Sequence, residues 1–123
     1  IMTNYRVYTG ELPRFEIIQS GGLYQIMFNF IDVEHLDDEG NVSSEKHCRC
    51  DVVEVDLLDY STIVAAIIRS KYSQDDVEAI LSNYQLCKDG EAGAKCEEYT
   101  DKYNAYQDYR VHAKTIAKDV LNK

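Results

Sequence analysis

The sequence predicts an α+β domain in which a four-stranded, mainly antiparallel meander is followed by three helices, the last one long. Three observations support this fold class. Apolar residues alternate along residues 4–57, they recur at helical spacing from residue 59 onward, and glycine and acidic turn residues separate the segments. The 123 residues suit a single domain over 1–123, strand-rich over 4–57 and helical over 59–122.

Four strands are expected in the first half of the chain, where β-branched and aromatic residues are frequent. Residues 20–22 contain the two glycines that a tight hairpin turn requires, and the acidic cluster 37–41 predicts a second turn. The strands are therefore predicted at Asn4–Thr9, Arg14–Gln19, Leu23–Leu36 and about Glu45–Leu57.

The third and fourth strands each change the parity of their apolar residues partway along. In the third strand the change follows Phe30, and in the fourth it follows Val52. A hairpin centred on Gly40–Asn41 would place Ile31 opposite Val52, so that the two changes coincide across the ladder. One bulge at that point would keep both apolar faces on the core, and we therefore expect a bulge there.

Helical spacing begins near residue 59. An apolar stripe predicts a helix over 60–72, and Ser73 followed three residues later by Asp76 predicts the capping box of a second helix. A last helix is expected over about 94–121, which at a rise of about 1.5 Å per residue is roughly 40 Å long.

The last helix carries a stripe of tyrosines and small residues spaced alternately four and three apart. Because the helix is longer than a small domain is wide, either part of it projects or a partner covers its far end. We expect it to pack across the sheet, and tyrosine is also common at protein interfaces. The candidate interaction residues are Tyr99, Tyr103, Tyr106 and Arg110.

The net charge of −9 is concentrated in the strand half, where residues 1–58 hold four basic and eleven acidic residues. Such a surface repels phosphate, so no nucleic-acid partner is expected. No run approaches the ~18 apolar residues of a membrane span, and no membrane association is expected. No signal peptide is visible, which predicts a cytoplasmic protein whose cysteines are reduced thiols, although a processed precursor would leave the same mature sequence.

One group of residues has metal-ligand chemistry. Cys48 and Cys50 share a strand face, and the predicted register places His35 opposite Cys48, beside His47 and within reach of Asp37. These residues form an alternative metal site, but Cys-x-Cys on a flat strand wraps an ion poorly. Buried thiols without metal are the favoured interpretation, and no cofactor is expected.

No catalytic signature is present, neither a nucleophile elbow nor a phosphate-binding glycine loop nor a zinc-protease helix. His112 lies on the last helix and is expected to face solvent. Cys87 and Cys96 flank a loop and are either reduced thiols, which we favour, or a disulfide. The chain is therefore predicted not to be an enzyme, although scattered residues can still form a site in a cleft between sheet and helices.

Residues 52–84, together with residues 110–121, resemble small proteins encoded by phages and prophages of gut Bacteroidales. The matching segments are Val52–Asp56 (VVEVD), Tyr60–Ser73 (YSTIVAAIIRSKYS), Asp75–Tyr84 (DDVEAILSNY) and Tyr109–Ala117. The resemblance implies a virion-associated or assembly-related role and supplies no catalytic residues.

Together these observations predict a non-enzymatic protein–protein interaction or assembly component that binds a protein partner or self-associates. A small metal-binding protein is the alternative.

Overall fold

The computed structural model describes residues 2–122 and confirms the α+β fold class. Four strands precede the helices: β1 Met2–Tyr8, β2 Phe15–Ser20, β3 Leu23–Val33 and β4 Lys46–Val55. The helices are α1 Tyr60–Lys71, α2 Gln74–Lys88 and α3 Cys96–Leu121, with a short 3₁₀ turn at Gly93–Lys95 before α3.

The four strands form one antiparallel sheet in the order β1-β4-β3-β2. The predicted meander therefore holds for β2, β3 and β4. The first strand is not beside β2. It pairs with the free edge of β4, and the connection over 9–14 leads from that edge of the sheet to the opposite one. Local sequence patterns do not encode this choice, since either edge could accept a short strand.

One face of the sheet packs against α1 and α3 and forms the main core. Phe28 of β3 and Val53 of β4 are buried there against Ile63 and Ile67 of α1. Burial of each such side chain contributes about 1.5–3 kcal/mol. The α3 residues of this core include two alanines, which let the helix approach closely: Ala113, Ile116, Ala117 and Val120.

The opposite face of the sheet holds a second buried cluster with no helix over it among residues 2–122. Met27, Cys48, Cys50 and Val52 lie there and are at most 8% exposed. Their presence explains the parity change in β4, because consecutive residues of a strand buried on both faces are all apolar.

An ion pair between the two edge strands helps to cover this second cluster. Arg6 of β1 donates two hydrogen bonds to the carboxylate of Glu16 on β2, at 2.7 and 2.6 Å. Three strand spacings of about 4.8 Å separate these strands in a flat sheet, so the sheet must curl to bring their side chains together. The guanidinium also lies over the Phe30 ring, 5.0 Å from its centroid.

The predicted bulge is present in β3, but the predicted hairpin register is wrong. Phe28 pairs with Asp51 and Ile31 pairs with Arg49, so two residues of β3 oppose Cys50 alone. Ile31 therefore lies opposite Arg49 and not Val52. The prediction failed because it assumed a bulge shared by both strands, whereas the parity change in β4 comes from burial on both faces.

The predicted capping box at the start of α2 is confirmed. The Ser73 hydroxyl accepts a hydrogen bond from the Asp76 amide, and the Asp76 carboxylate accepts one from the Ser73 amide, both at 3.0 Å. At the start of α1, the Asp59 carboxylate accepts from the Thr62 amide at 2.8 Å. These bonds hold the pKa values of both carboxyls below their ordinary range.

Candidate functional site

The structure does not bring the candidate metal ligands together. His35 and His47 stack with ring centroids 4.0 Å apart, whereas Cys48 and Cys50 are buried on the opposite face of β4. In the ladder between β3 and β4, Val33 pairs with His47 and Asp32 pairs with Cys48, so the predicted pairing of His35 with Cys48 is wrong. Within residues 2–122, no three His, Cys, Asp or Glu side chains are grouped as metal ligands. The alternative interpretation, a metal site at these residues, was inferred from an arrangement of side chains that the structure does not have.

Three of the candidate interaction residues pack within the chain. Tyr103 stacks on Tyr84 of α2 with centroids 3.8 Å apart, and Tyr106 is buried with its ring edge-on to Tyr72 at 5.1 Å. Arg110 donates a hydrogen bond to the side-chain oxygen of Gln107 at 2.9 Å and lies beside the Tyr106 ring. The tyrosine stripe thus joins α3 to α1 and α2.

Tyr99, the fourth candidate, lines a groove of about 390 Å³ between α2 and α3. The floor of this groove is apolar and small, with Ala79, Ile80 and Ala105, while Asp76 and Lys102 are among its polar residues. It begins at the junction of α1 and α2. Among the four candidates, Tyr99 is the one that borders an open groove.

The second helix and the first half of α3 form an arm that stands apart from the sheet; we define it as residues 74–105. No residue of α2 is buried, and its main contacts are with α3 alone. In α3, burial begins only at Tyr106. A disulfide between Cys87 and Cys96, whose Cα atoms are 4.9 Å apart, joins the two helices at the end of the arm. The favoured expectation of reduced thiols is therefore wrong for this pair.

The arm is both acidic and apolar at its surface. Its residues include eight acidic and three basic side chains, a net charge of −5. Leu81 and Leu86 of α2 remain 44% and 40% exposed. The two leucines are five residues apart, about 140° around the helix, so they are two separate exposed apolar side chains and not one continuous patch.

A different kind of site occurs at the β3 bulge, where the main sheet face meets the helices. Asn29 adopts φ 56°, the left-handed region that residues other than glycine rarely occupy, and asparagine is the residue type that tolerates it best. Its amide donates to the Asp51 carboxylate at 2.9 Å, and its oxygen lies 2.6 Å from Nε2 of His112. His112 is therefore half-buried against the sheet, and the expectation that it faces solvent is wrong.

A cavity of about 510 Å³ opens beside this hydrogen-bonded chain. It is bordered by Asn29 and Asp51 and by side chains from β3, β4, α1 and α3: Ile31, Arg49, Ser70, Lys71 and Tyr109. The hydroxyl of Tyr109 is buried and has no hydrogen-bond partner among residues 2–122. Burial, reinforced by the nearby Asp51 charge, raises the pKa of this hydroxyl.

The sequence patterns did not predict this site, although one feature of β3 pointed to it. The parity change after Phe30 indicated a bulge, and Asn29 is the residue in that stretch best suited to a positive φ. Neither Asp51 nor His112 could be linked to Asn29 without the true register and the position of α3.

The comparisons with known proteins do not assign the chain to a family. Family models, curated proteins and solved structures all produced no match. Within the part of the chain that the structure describes, no helix combines the length and apolar character needed to cross a membrane.

Proposed function

We propose that this chain is a non-enzymatic protein-interaction module and that its arm, residues 74–105, is the binding surface. The observation that supports this proposal is the packing of α2, which contacts mainly α3 and buries none of its residues in the described chain. A helix gains most of its stability from packing, so one with a wide free surface has room for a partner. The exposed Leu81 and Leu86 supply apolar anchors on that surface.

The charge of the arm specifies the kind of partner. With a net charge of −5, two arms would repel each other, which disfavours self-association through this surface. A basic protein segment with apolar side chains would be complementary in charge and could bury the leucines. We therefore propose a basic protein partner, as in an assembly of unlike subunits, which agrees with the assembly-related role that the phage-protein resemblance implies.

The disulfide bears on where such an assembly would operate. Cytosolic thiol systems keep most cysteine pairs reduced, whereas disulfides persist on virions and outside the cytosol. The Cys87–Cys96 bond therefore favours association with the virion over the bacterial cytoplasm.

The test compares three purified baits for capture of proteins from the native source. The wild type and a Val111→Asp control should retain the same basic partner, because Val111 is exposed on α3 outside the arm. The double variant Leu81→Asp/Leu86→Asp should lose that partner, with Kd for the purified partner raised at least about a hundredfold, or about 2.7 kcal/mol.

Circular dichroism and thermal unfolding must show that both variants are folded. The proposal fails if the double variant retains the partner, or if the Val111→Asp control loses it to the same extent. It also fails if the binding does not weaken with added salt, because a basic partner on an acidic arm requires charge attraction.

A further inference from the structure

The cavity at the β3 bulge has the size and the polarity of a small-molecule site, and it lies outside the arm. At about 510 Å³ it falls within the range of roughly 300–1,000 Å³ that is usual for ligand pockets. Its walls come from β3, β4, α1 and α3, so its shape exists only in the folded chain.

One part of the cavity wall is a fixed anion. The Asp51 carboxylate accepts a hydrogen bond from the Asn29 amide, whose oxygen in turn contacts His112. Since Nε2 of His112 must donate to that oxygen, the three side chains form one directed chain of hydrogen bonds. The carboxylate is thus held in place while part of its accepting capacity stays free.

A second part of the wall carries cations that are not neutralised. Arg49 and Lys71 border the cavity, and neither forms an ion pair with a carboxylate among residues 2–122. Arg49 is two residues from Asp51 on the same face of β4, which places their Cα atoms about 6.6 Å apart. A positive and a negative group therefore lie side by side without pairing with each other.

The remaining wall is apolar apart from the hydroxyls of Ser70 and Tyr109. Ile31, which is 43% exposed, and the ring of Tyr109 both border the cavity, and the ammonium of Lys71 lies 4.8 Å from the centroid of that ring. The Tyr109 hydroxyl is one of two buried side-chain polar atoms without a hydrogen-bond partner in the described chain, the other being Nε2 of His47. The Ser70 hydroxyl nearby donates to the Ile67 carbonyl at 2.6 Å and keeps lone pairs that can accept from Tyr109.

We propose that this cavity binds a small zwitterion of the α-amino acid class with an apolar side chain. The ligand carboxylate would pair with the guanidinium of Arg49, which can bind a carboxylate through two hydrogen bonds. The ligand ammonium would donate to Asp51, and its apolar side chain would contact Ile31 and Tyr109. A simple anion would meet the Asp51 charge, and a simple cation would meet Arg49 and Lys71, so neither matches the site as well.

Three probes test the proposal. L-phenylalanine carries both charged groups, 3-phenylpropanoate lacks the ammonium and phenethylamine lacks the carboxylate. Binding to the oxidised chain of 123 residues is measured by chemical-shift titration of its amide signals. L-phenylalanine should shift the amides around Asn29, Asp51 and Tyr109, and each probe that lacks one charge should bind at least about tenfold more weakly, which corresponds to 1.4 kcal/mol.

Two variants assign the contacts. Arg49→Gln should weaken L-phenylalanine at least about tenfold but should not weaken phenethylamine, because that probe has no carboxylate for Arg49 to bind and is repelled by its charge. Asp51→Asn, which keeps the shape of the side chain, should weaken L-phenylalanine but should not weaken 3-phenylpropanoate, which the Asp51 charge repels. Arg69→Gln, an exposed arginine of α1 that does not border this cavity, is the matched control.

The proposal is overturned if L-phenylalanine causes no shifts at this site, or if 3-phenylpropanoate or phenethylamine binds as well as it does. It is also overturned if Arg69→Gln weakens binding as much as Arg49→Gln. The double variant Leu81→Asp/Leu86→Asp should bind L-phenylalanine as the wild type does, so this test and the test of the arm succeed or fail independently.

Discussion

At the scale of single residues, Asn29 determines the geometry of the bulge. Its left-handed backbone inserts one extra residue into β3, so Ile31 and Val33 stay on the same face as Phe28. The side chain then connects the sheet to α3 through His112. One residue thus sets the strand parity and joins two layers of the fold.

Substitutions at Asn29 should separate its backbone role from its hydrogen bonds. Asn29→Gly and Asn29→Ala both remove the bonds to Asp51 and His112, but only glycine adopts φ 56° without strain. We expect Asn29→Ala to unfold with a free energy about 1 kcal/mol lower than that of Asn29→Gly. Urea denaturation of both variants measures this difference, and equal stabilities would show that the backbone conformation carries no strain.

At the scale of secondary-structure elements, the two edge strands are linked by side chains and not by backbone hydrogen bonds. Arg6 and Glu16 extend over the second face of the sheet, where Cys48 and Cys50 are each 1% exposed. Burial raises the pKa of the Cys50 thiol, which further lowers its reactivity. The curl of the sheet therefore protects two thiols that no helix covers in the described chain.

Breaking this ion pair should expose the thiols. In the oxidised wild type, only Cys48 and Cys50 are free to react, and we expect slow labelling by a thiol reagent. Glu16→Gln should raise the labelling rate about two- to fivefold, in keeping with the modest energy of a partly exposed pair. Arg14→Gln, which removes the separate Arg14–Asp119 ion pair, should leave the rate unchanged.

The Arg6–Glu16 ion pair should also make the free energy of unfolding depend on pH, in a direction that the pKa of Glu16 determines. The hydrogen bonds from Arg6 hold the pKa of Glu16 below its ordinary value of 4.5. Its contribution to the free energy of unfolding is therefore complete above pH 4.5 and is lost as the pH falls through the lower, folded-state pKa. The stability difference between the wild type and Glu16→Gln should shrink over that acidic range, and a difference that grows there would contradict the assignment.

At the scale of the whole molecule, burial divides the chain into two parts. The sheet, α1 and the second half of α3 share the main core, whereas the arm over 74–105 contains no buried residue in the structure. The arm depends on the tyrosine contacts of α3, on the α2 capping box and on the disulfide. It is the part of the molecule expected to open first.

Hydrogen exchange should reveal this division. Amides of α2 and of residues 96–105 should exchange at least about tenfold faster than those of β3, β4 and the second half of α3. Reduction of the Cys87–Cys96 bond should speed exchange in the arm further, since a disulfide that closes a loop of this length contributes about 2–3 kcal/mol. Uniform exchange along α3, or no response to the reductant, would contradict a separate arm.

Most of the local structure follows from the sequence because its causes are local. The helix stripe of α1, the capping box formed by Ser73 and Asp76 and the bulge in β3 depend on residues close together in the chain, and all three are confirmed. The prediction that the stripe of α3 packs across the sheet is confirmed in the second half of the helix, where Ala113, Ala117 and Val120 are buried. The sequence by itself therefore determined the elements and the fold class.

Only the tertiary structure decided the strand order, the register and the cavity. The register shifts the pairing of Ile31 from Val52 to Arg49, which places Asp32 and not His35 opposite Cys48 and sets Ile31 beside Arg49 in the cavity. His112 reaches Asn29 across a separation of 83 residues. Such contacts depend on how the sheet curls and where α3 crosses it, and these are decided by packing of the whole chain and not by any single segment.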